Sequence, residues 1–402
     1  MRMLIVAHRF PWPLHRGDTL TVYKMAEYFG ARHEVDLLCH ASGEAAAHDR
    51  LRPLVRRLET VTFSRAAGAL RVARALASPL PLQVAWCGSG PLRQRAAELV
   101  RDNDYDVVLA YYVRPAEALR RVQGPAKVIA MQLSMALQWD RAARQARWPW
   151  QRLVRGVEAR RLRRYESQMF RAFDRCLLIS KHDLAHVHEP IPEKVVFNPH
   201  GVDVDRYAPD AAVAHEPRRI IFTGLMSFQP NVDAACHFAR EILPRVLERV
   251  PEAQFMIVGH NPAPAVRSLA QHPAITVTGS VPDIAAYLRT ARLAVDPLRI
   301  GAGLQNKVLE ALSTGVPMVM SGLANEGIGA VHGEHGFVAD DPQAFAEHVV
   351  NLLTDDGLRQ RVSDAARQWI CEQWTWEYHF QRLDEALAAL VEPPQPAVAQ
   401  PV

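Results

Sequence analysis

Ten short runs rich in Val, Ile, Leu and Met recur along this chain, with helical segments between them. Five fall in the first half: Met3–Ala7, Val35–Cys39, Val107–Ala110, Val128–Met131 and Cys176–Ile179. Five more follow: Ile220–Phe222, Phe255–Val258, Ile275–Val277, Leu293–Val295 and Pro317–Met320. Short, continuous apolar runs of this kind suit parallel strands buried on both faces. Stretches such as Val232–Leu247 and Val308–Thr314 carry the helical period. Repeated β-α alternation predicts an α/β fold with doubly wound sheets. Between the two series lies "NPHGVDVDRYAP", rich in Pro, Asp and Gly, which reads as a linker. The expected organisation is an N-terminal domain over 1–200, a linker over 201–217 and a second domain over 218–375. A helix over 376–392 is expected to pack back toward the first domain. The Pro-rich residues 393–402 are expected to form a disordered tail.

The 402 residues exceed one ordinary core, which supports two domains. No apolar run reaches the ~18 residues of a membrane span. Met3–Ala7 is too short for a signal-peptide core, so the expected location is the cytoplasm. Five cysteines stand far apart without a C-x-x-C pair, so buried reduced thiols are expected rather than zinc or disulfides. Residues 1–200 hold 32 Lys and Arg against 19 Asp and Glu, whereas residues 201–402 hold 15 against 24. Two halves of opposite charge suggest two different partners.

In doubly wound sheets ligands bind beyond the carboxyl ends of the strands, so the loops after the strands carry the argument. After the first comes "HRFPWPLHRGDTLT", with His8, His15, Gly17 and Asp18. Gly17 permits close approach, and Asp18 is expected to cap a helix starting near Thr19. In the second series Gly224, Gly259 and Gly279 each end a strand. Backbone around Gly259, His260 and Asn261, and around Val281 and Asp283, is expected to meet a nucleotide base. The richest block is "PLRIGAGLQNKVLEALSTGVPMV". Gly301 and Gly303 let backbone amides approach phosphate oxygens, and Leu304 and Gln305 lead into a helix start whose dipole favours anions. Lys307 and the planar fork of Arg299 supply positive charge. Glu310, three residues past Lys307 on the same helix face, can accept hydrogen bonds from ribose hydroxyls. Together these residues fit a nucleoside diphosphate. A simple 307–310 surface ion pair is the competing reading.

These motifs resemble those of retaining GT-B glycosyltransferases of the family 4 type. The resemblance is strongest in "GLMSFQPNVDAACHFAREILPRV", "IVGHNP", "VTGSVPDIAAYLRTARLAVDPLRIGAGLQNKVLEALSTGVPMVMS" and "EGI" at 326–328. "VVFNPHGVDVDRYAP" resembles the family's linker motif, with His200 where Asn is commoner, and "HRFPWPLHRGD" resembles its N-terminal glycine loop. The resemblance implies two Rossmann-like domains facing a central cleft, the donor on the second and the acceptor on the first. It implies a nucleotide diphosphate sugar as co-substrate, a glycan or lipid-linked glycan as acceptor, no cofactor and no metal. Catalytic roles would fall on Arg299, Lys307 and Glu310. Transfer with retention by front-face displacement would let the leaving diphosphate take the acceptor's proton. The sequence departs from the family in three places. Its usual first Glu falls on Ala302, its Arg and Lys are missing from "GLMSFQPN", and its N-terminal-domain His aligns with Gln132, which cannot act as acid or base. His8 or His15 is the alternative occupant of that space. These departures leave open an inactive nucleotide-binding subunit, and a GT-B epimerase is a further reading. No Asp-x-Asp or His cluster asks for a metal, and His182, His186 and His188 read as helix surface.

Residues 141–164, "RAARQARWPWQRLVRGVEARRLRR", combine nine arginines and two tryptophans with one acid. Arginines beside Trp148, Trp150, Leu153, Val154 and Val157 suit an anionic inner-membrane surface; a solvated helix is the plain alternative. No nucleic-acid-binding module is recognised, so no nucleic-acid partner is expected.

Overall fold

The computed structural model describes residues 1–14, 17–41, 45–144, 146, 148–301 and 303–391. The expectations for His15, Ala302, the side chain of His182 and the tail 393–402 lie outside what is described. The chain divides into two units, one of residues 1–199 with the chain from Phe380 onward, the other His200–His379.

The first unit is a seven-stranded sheet. Its strands are β1 (Arg2–Ala7), β2 (Glu34–His40), β3 (Arg57–Val61), β4 (Val107–Tyr111), β5 (Ala126–Gln132), β6 (Arg175–Leu178) and β7 (Val195–Phe197). They run parallel in the order β3-β2-β1-β4-β5-β6-β7. The order reverses between β1 and β4, where Met3 pairs with both Val35 and Val107. One face packs Leu4, Val6, Val108 and Ile129 against Leu162, Met169 and Phe170 of the Pro149–Ala172 helix. From Phe380 onward the Trp376–Val391 helix joins this unit. Phe380 is fully buried, with its ring 5.4 Å from Tyr28 and 5.7 Å from Phe29. His33 Nε2 lies 2.7 Å from Asp384 Oδ1 on the same helix.

The second unit has strands β8 (Arg219–Thr223), β9 (Gln254–Val258), β10 (Ile275–Gly279), β11 (Leu293–Asp296), β12 (Met318–Met320) and β13 (Phe337–Val338). They are parallel in the order β10-β9-β8-β11-β12-β13, reversing between β8 and β11. Phe222, Phe238, Phe255 and Ile257 fill one face, and Ile221, Val308, Leu309 and Leu312 the other. Residues 201–217, read as a linker, pack on this unit: Val202 bridges Thr375, and Tyr207 is buried in its core.

Three strands escaped the apolar-run reading. β3 alternates Arg, Leu, Glu, Thr and Val at a sheet edge and is half-buried throughout. β7 is another half-buried edge strand, and β13 has two residues. At β3 the edge position keeps one side toward solvent, so the continuous apolar signature is absent there. Cys39 and Cys176 are buried, and burial pushes both thiols up to about 12; Cys371, contrary to expectation, is exposed. Among the described residues no helix is long and apolar enough to cross a membrane.

Candidate functional site

Of the predicted donor residues, Gly224, Arg299, Gly301, Gly303, Lys307 and Glu310 lie around the β8/β11 switch point of the second unit, Gly259, His260, Val281 and Asp283 follow β9 and β10, and Gly17, also expected at the donor, opens a helix of the first unit. Asp296 closes β11 and is fully buried. Lys307, the second residue of the Asn306–Ser313 helix, reaches back to it: Nζ donates to Asp296 Oδ1 at 3.1 Å and to Asn231 Oδ1 at 2.8 Å. The ammonium also lies 4.7 Å from the centroid of Phe222, a cation–π contact inside the core. Burial lowers the Lys307 pKa and raises that of Asp296; each partner's charge offsets part of the other's shift. Asn231 is fixed in turn, its amide donating to the Leu225 carbonyl at 3.1 Å. Arg299, more exposed, donates through Nε and Nη2 to Asp233 at 3.0 and 2.7 Å, and this pairing raises its pKa.

Glu310 lies one turn beyond Lys307, with Tyr207 near enough to favour its carboxylate. Burial raises its carboxyl pKa; Tyr207, Arg206 and Lys307 work against the rise. Lys307 turns to Asp296 and Asn231, so the 307–310 surface ion pair is replaced by two separate groups. Gly301 and Gly303 have φ of +136° and +86°, a region that favours glycine. Gly303's carbonyl accepts from Gln305 Nε2 at 3.2 Å, and Leu304 is half-buried. Gly224 also has positive φ, and a Cβ there would lie 2.7 Å from the Asn231 amide nitrogen. A Cβ on Gly259 would fall 1.7 Å from the Gly224 carbonyl oxygen. Gly259 therefore lets the loops after β8 and β9 touch, a packing role in addition to the ligand contact expected of it. His260 Nδ1 lies 2.5 Å from Ser280 Oγ, tying the loops after β9 and β10. Val281 is half-buried nearby in sequence, and Asp283 caps the Ile284–Arg289 helix by accepting from Ala285 N at 3.2 Å.

The first unit carries a polar network at its own β1/β4 switch point. Arg114, in the loop after β4, donates through Nη1 to His8 Nε2 at 3.0 Å and through Nε to Gln83 Oε1 at 3.2 Å. Arginine has no acceptor, so His8 Nε2 is the acceptor in this contact, and Asp18 Oδ2 lies 3.7 Å from the same nitrogen. His40 Nδ1 donates to the His8 carbonyl at 2.8 Å, and its Nε2 accepts from Ser89 Oγ at 3.2 Å. Asp18 accepts from Arg9 at 3.1 Å. The helix begins at Gly17, so Asp18 sits in its first turn instead of capping a start at Thr19. Gln132 ends β5 buried, at φ +69°. The loop after it is pinned by two acids: Ser134 N donates to Asp183 at 3.0 Å, and Ser134 Oγ and Ala136 N donate to Glu166, each at 3.0 Å.

Sequence reasoning missed Asn231, Asp296, Tyr207 and Arg114. Asp296 left a signal: an acid closing the apolar run Leu293–Val295 needs a buried partner. Asn231 and Tyr207 left none, since their partners lie 76 and 103 positions away.

Two parallel sheets of Rossmann-like order, with anchored cations at a switch point, define the GT-B architecture. The chain belongs to the group 1, family 4 glycosyltransferases. Residues 217–355 match the model described as Glycosyl transferases group 1, and residues 17–206 that described as Glycosyltransferase Family 4. An uncharacterized 44.6 kDa protein in the cps region of Klebsiella pneumoniae is 22% identical over 386 residues, covering 93% of this chain and 96% of that protein. A GDP-mannose-dependent alpha-(1-6)-phosphatidylinositol monomannoside mannosyltransferase of Mycobacterium tuberculosis is 29% identical over 204 residues. That alignment covers 45% of this chain and 52% of the mannosyltransferase, about half its length. Anabaena HepE, solved in complex with UDP, shares the fold at a TM-score of 0.68 and 13% identity, over 97% of this chain and all of HepE.

Proposed function

We propose that this glycosyltransferase moves a hexose from a nucleotide diphosphate sugar to a glycan or lipid-linked glycan, with retention and without a metal. The observation that carries the reading is Lys307, held by Asp296 and Asn231 at the mouth of the β8/β11 switch point. Two of its three hydrogens go to those oxygens, and the charge they fix beside Phe222 is the one a diphosphate would feel. The amides at the start of the Asn306–Ser313 helix add partial positive charge in the same region. Charge building on a departing diphosphate is then stabilised by fixed groups that need no rearrangement during the reaction. Glu310, with Tyr207 beside it, supplies a carboxylate for ribose hydroxyls one turn on. The leaving diphosphate itself takes the acceptor's proton, so no side-chain base is required. The pathway we propose for it is cell-surface or extracellular polysaccharide biosynthesis.

The relatives differ in nucleotide, one GDP-mannose-dependent and another solved with UDP, so the base is an experimental question. Titration calorimetry with UDP, GDP and ADP tests the donor site, and binding of none of them would overturn it. NMR of the first-formed anomer tests retention, and turnover surviving EDTA tests metal independence. An inactive subunit would bind nucleotide without transfer, and an epimerase would change the sugar with no acceptor present.

A further inference from the structure

The Pro149–Ala172 helix reverses its usual orientation halfway along. Its second half buries Leu162, Tyr165, Met169 and Phe170. Its first half carries Trp150, Leu153, Val154 and Val157, spaced i, i+3, i+4 and i+7, the stripe that normally faces a core. Here all four are 41–69% exposed, and Trp148 just before them is 52% exposed. Arg161 and Arg164 continue the same helical face toward the C-terminus.

A second segment, remote in sequence, adjoins this helix. Glu158 accepts from Leu82 N at 2.7 Å, and Arg161 Nη2 donates to the Leu76 carbonyl at 2.8 Å. Those contacts bring the Arg65–Ala75 helix and its C-terminal edge alongside, with Leu70 and Leu76 also more than half exposed. Residues 60–97 contain five arginines and no acid, and residues 141–164 contain nine arginines and only Glu158, which is buried. Glu59 and Glu98 pair with Arg95, and Asp140 with Arg144, which leaves the other arginines of these segments in excess. Exposed apolar side chains within such an arginine-rich field match an anionic bilayer in both chemistry and sign.

We propose that the Trp148–Val157 stripe and the Leu70–Leu76 edge together form a docking face for an anionic membrane surface. The tryptophans and leucines enter the headgroup boundary, and the exposed Arg74, Arg160 and Arg164 meet lipid phosphates. The face needs no sugar chemistry, and its test uses no nucleotide sugar, so its failure leaves the transferase reading standing.

The test is sedimentation of the full chain with phosphatidylglycerol-containing vesicles or with pure phosphatidylcholine vesicles. Wild type is expected to bind the anionic vesicles at least tenfold more tightly, less so at high salt. Trp150→Ser/Leu153→Ser should lose about tenfold, and Leu70→Ser/Leu76→Ser several-fold, with unchanged melting curves. Arg160→Glu/Arg164→Glu should lose binding to anionic vesicles specifically. Wild type left in the supernatant overturns the proposal. Binding that ignores both apolar variants overturns it too, since arginines alone would then explain it. A dimer in sedimentation equilibrium that Trp150→Ser/Leu153→Ser dissociates would assign the face to a second copy. Retention of an RNA oligomer without vesicle binding would assign it to nucleic acid.

Discussion

The two switch points solve the same problem with opposite chemistry. In the second unit a lysine sits against a buried carboxylate, with Lys307 Nζ 3.1 Å from Asp296 Oδ1. In the first unit an arginine sits against a neutral imidazole, with Arg114 Nη1 3.0 Å from His8 Nε2. A carboxylate partner fixes a cation firmly but offsets its charge. An imidazole acceptor fixes it with a neutral hydrogen bond and leaves its full positive charge to the surroundings. The buried acids divide the same way. Asp296 is met by an ammonium, whereas Glu166 in the first unit is met by Ser134 Oγ and the Ala136 amide, and burial pushes its carboxyl up to about 7.

The comparison breaks most severely at Lys307. Lys307→Ala leaves Asp296 buried without its countercharge, an omission that typically costs ~3–5 kcal/mol. Urea unfolding should show that loss, and calorimetry should show donor affinity down by more than tenfold. A Lys307→Met/Asp296→Leu double variant separates the two effects: stability recovers and donor affinity does not. Recovery of both would remove Lys307 from donor binding.

Glu166 makes the matching prediction for the first unit. Its folded pKa of about 7 lies above the ordinary value of 4.5, so the folded chain holds the proton more tightly than the unfolded one. Its stabilising contribution is complete below pH 4.5 and is lost as pH rises through 7. At ~1.4 kcal/mol per pH unit of displacement, the full effect is about 3 kcal/mol. The neighbouring Asp183, which shares Ser134 with Glu166, contributes to the rise. Melting temperatures between pH 5 and 8 should fall with pH in wild type and flatten in Glu166→Gln. An equally steep slope in the variant would assign the dependence to other groups.

Glu310→Gln keeps the shape of the side chain and removes the charge. It should weaken nucleotide binding by about 2 kcal/mol, roughly 30-fold, with a smaller loss in Tyr207→Phe, which only removes the neighbouring hydroxyl. A 2′-deoxynucleotide should then bind wild type and Glu310→Gln alike. If the variant still distinguishes ribose from deoxyribose as wild type does, the ribose assignment fails.

Much of this arrangement was legible before any coordinates. The ten apolar runs located the interior of both sheets, because strands buried on both faces must be apolar without interruption. β3 was not legible, since it is half-buried throughout and mixes Arg57 and Glu59 with Leu58 and Val61. At the proposed donor site, Lys307 and Glu310 declared themselves by helix position, but their neighbours did not. Asn231 and Tyr207 become partners only once β8, β11 and the segment 201–217 pack together. Gly259 carries a second demand that its motif did not announce: a Cβ there would collide with the Gly224 carbonyl, so the loops after β8 and β9 also need the glycine. Local sequence therefore announces charge and backbone freedom, while tertiary packing decides what each is used for.

The smallest expected effect tests whether the second switch point works at all. Arg114→Met keeps much of the side chain's length and removes its donors to His8 and Gln83. If the first unit receives the acceptor, the variant should raise the acceptor KM about fivefold, the equivalent of ~1 kcal/mol. Nucleotide affinity should not change, because the donor residues are anchored within the second unit. A purely structural role would instead lower the melting temperature and leave the acceptor KM alone. Arg114→Lys sharpens the distinction, since a lysine restores the charge but cannot hold His8 and Gln83 together through a planar fork. Partial rescue of KM by Arg114→Lys would assign the residue's work to its charge, and no rescue would assign it to geometry.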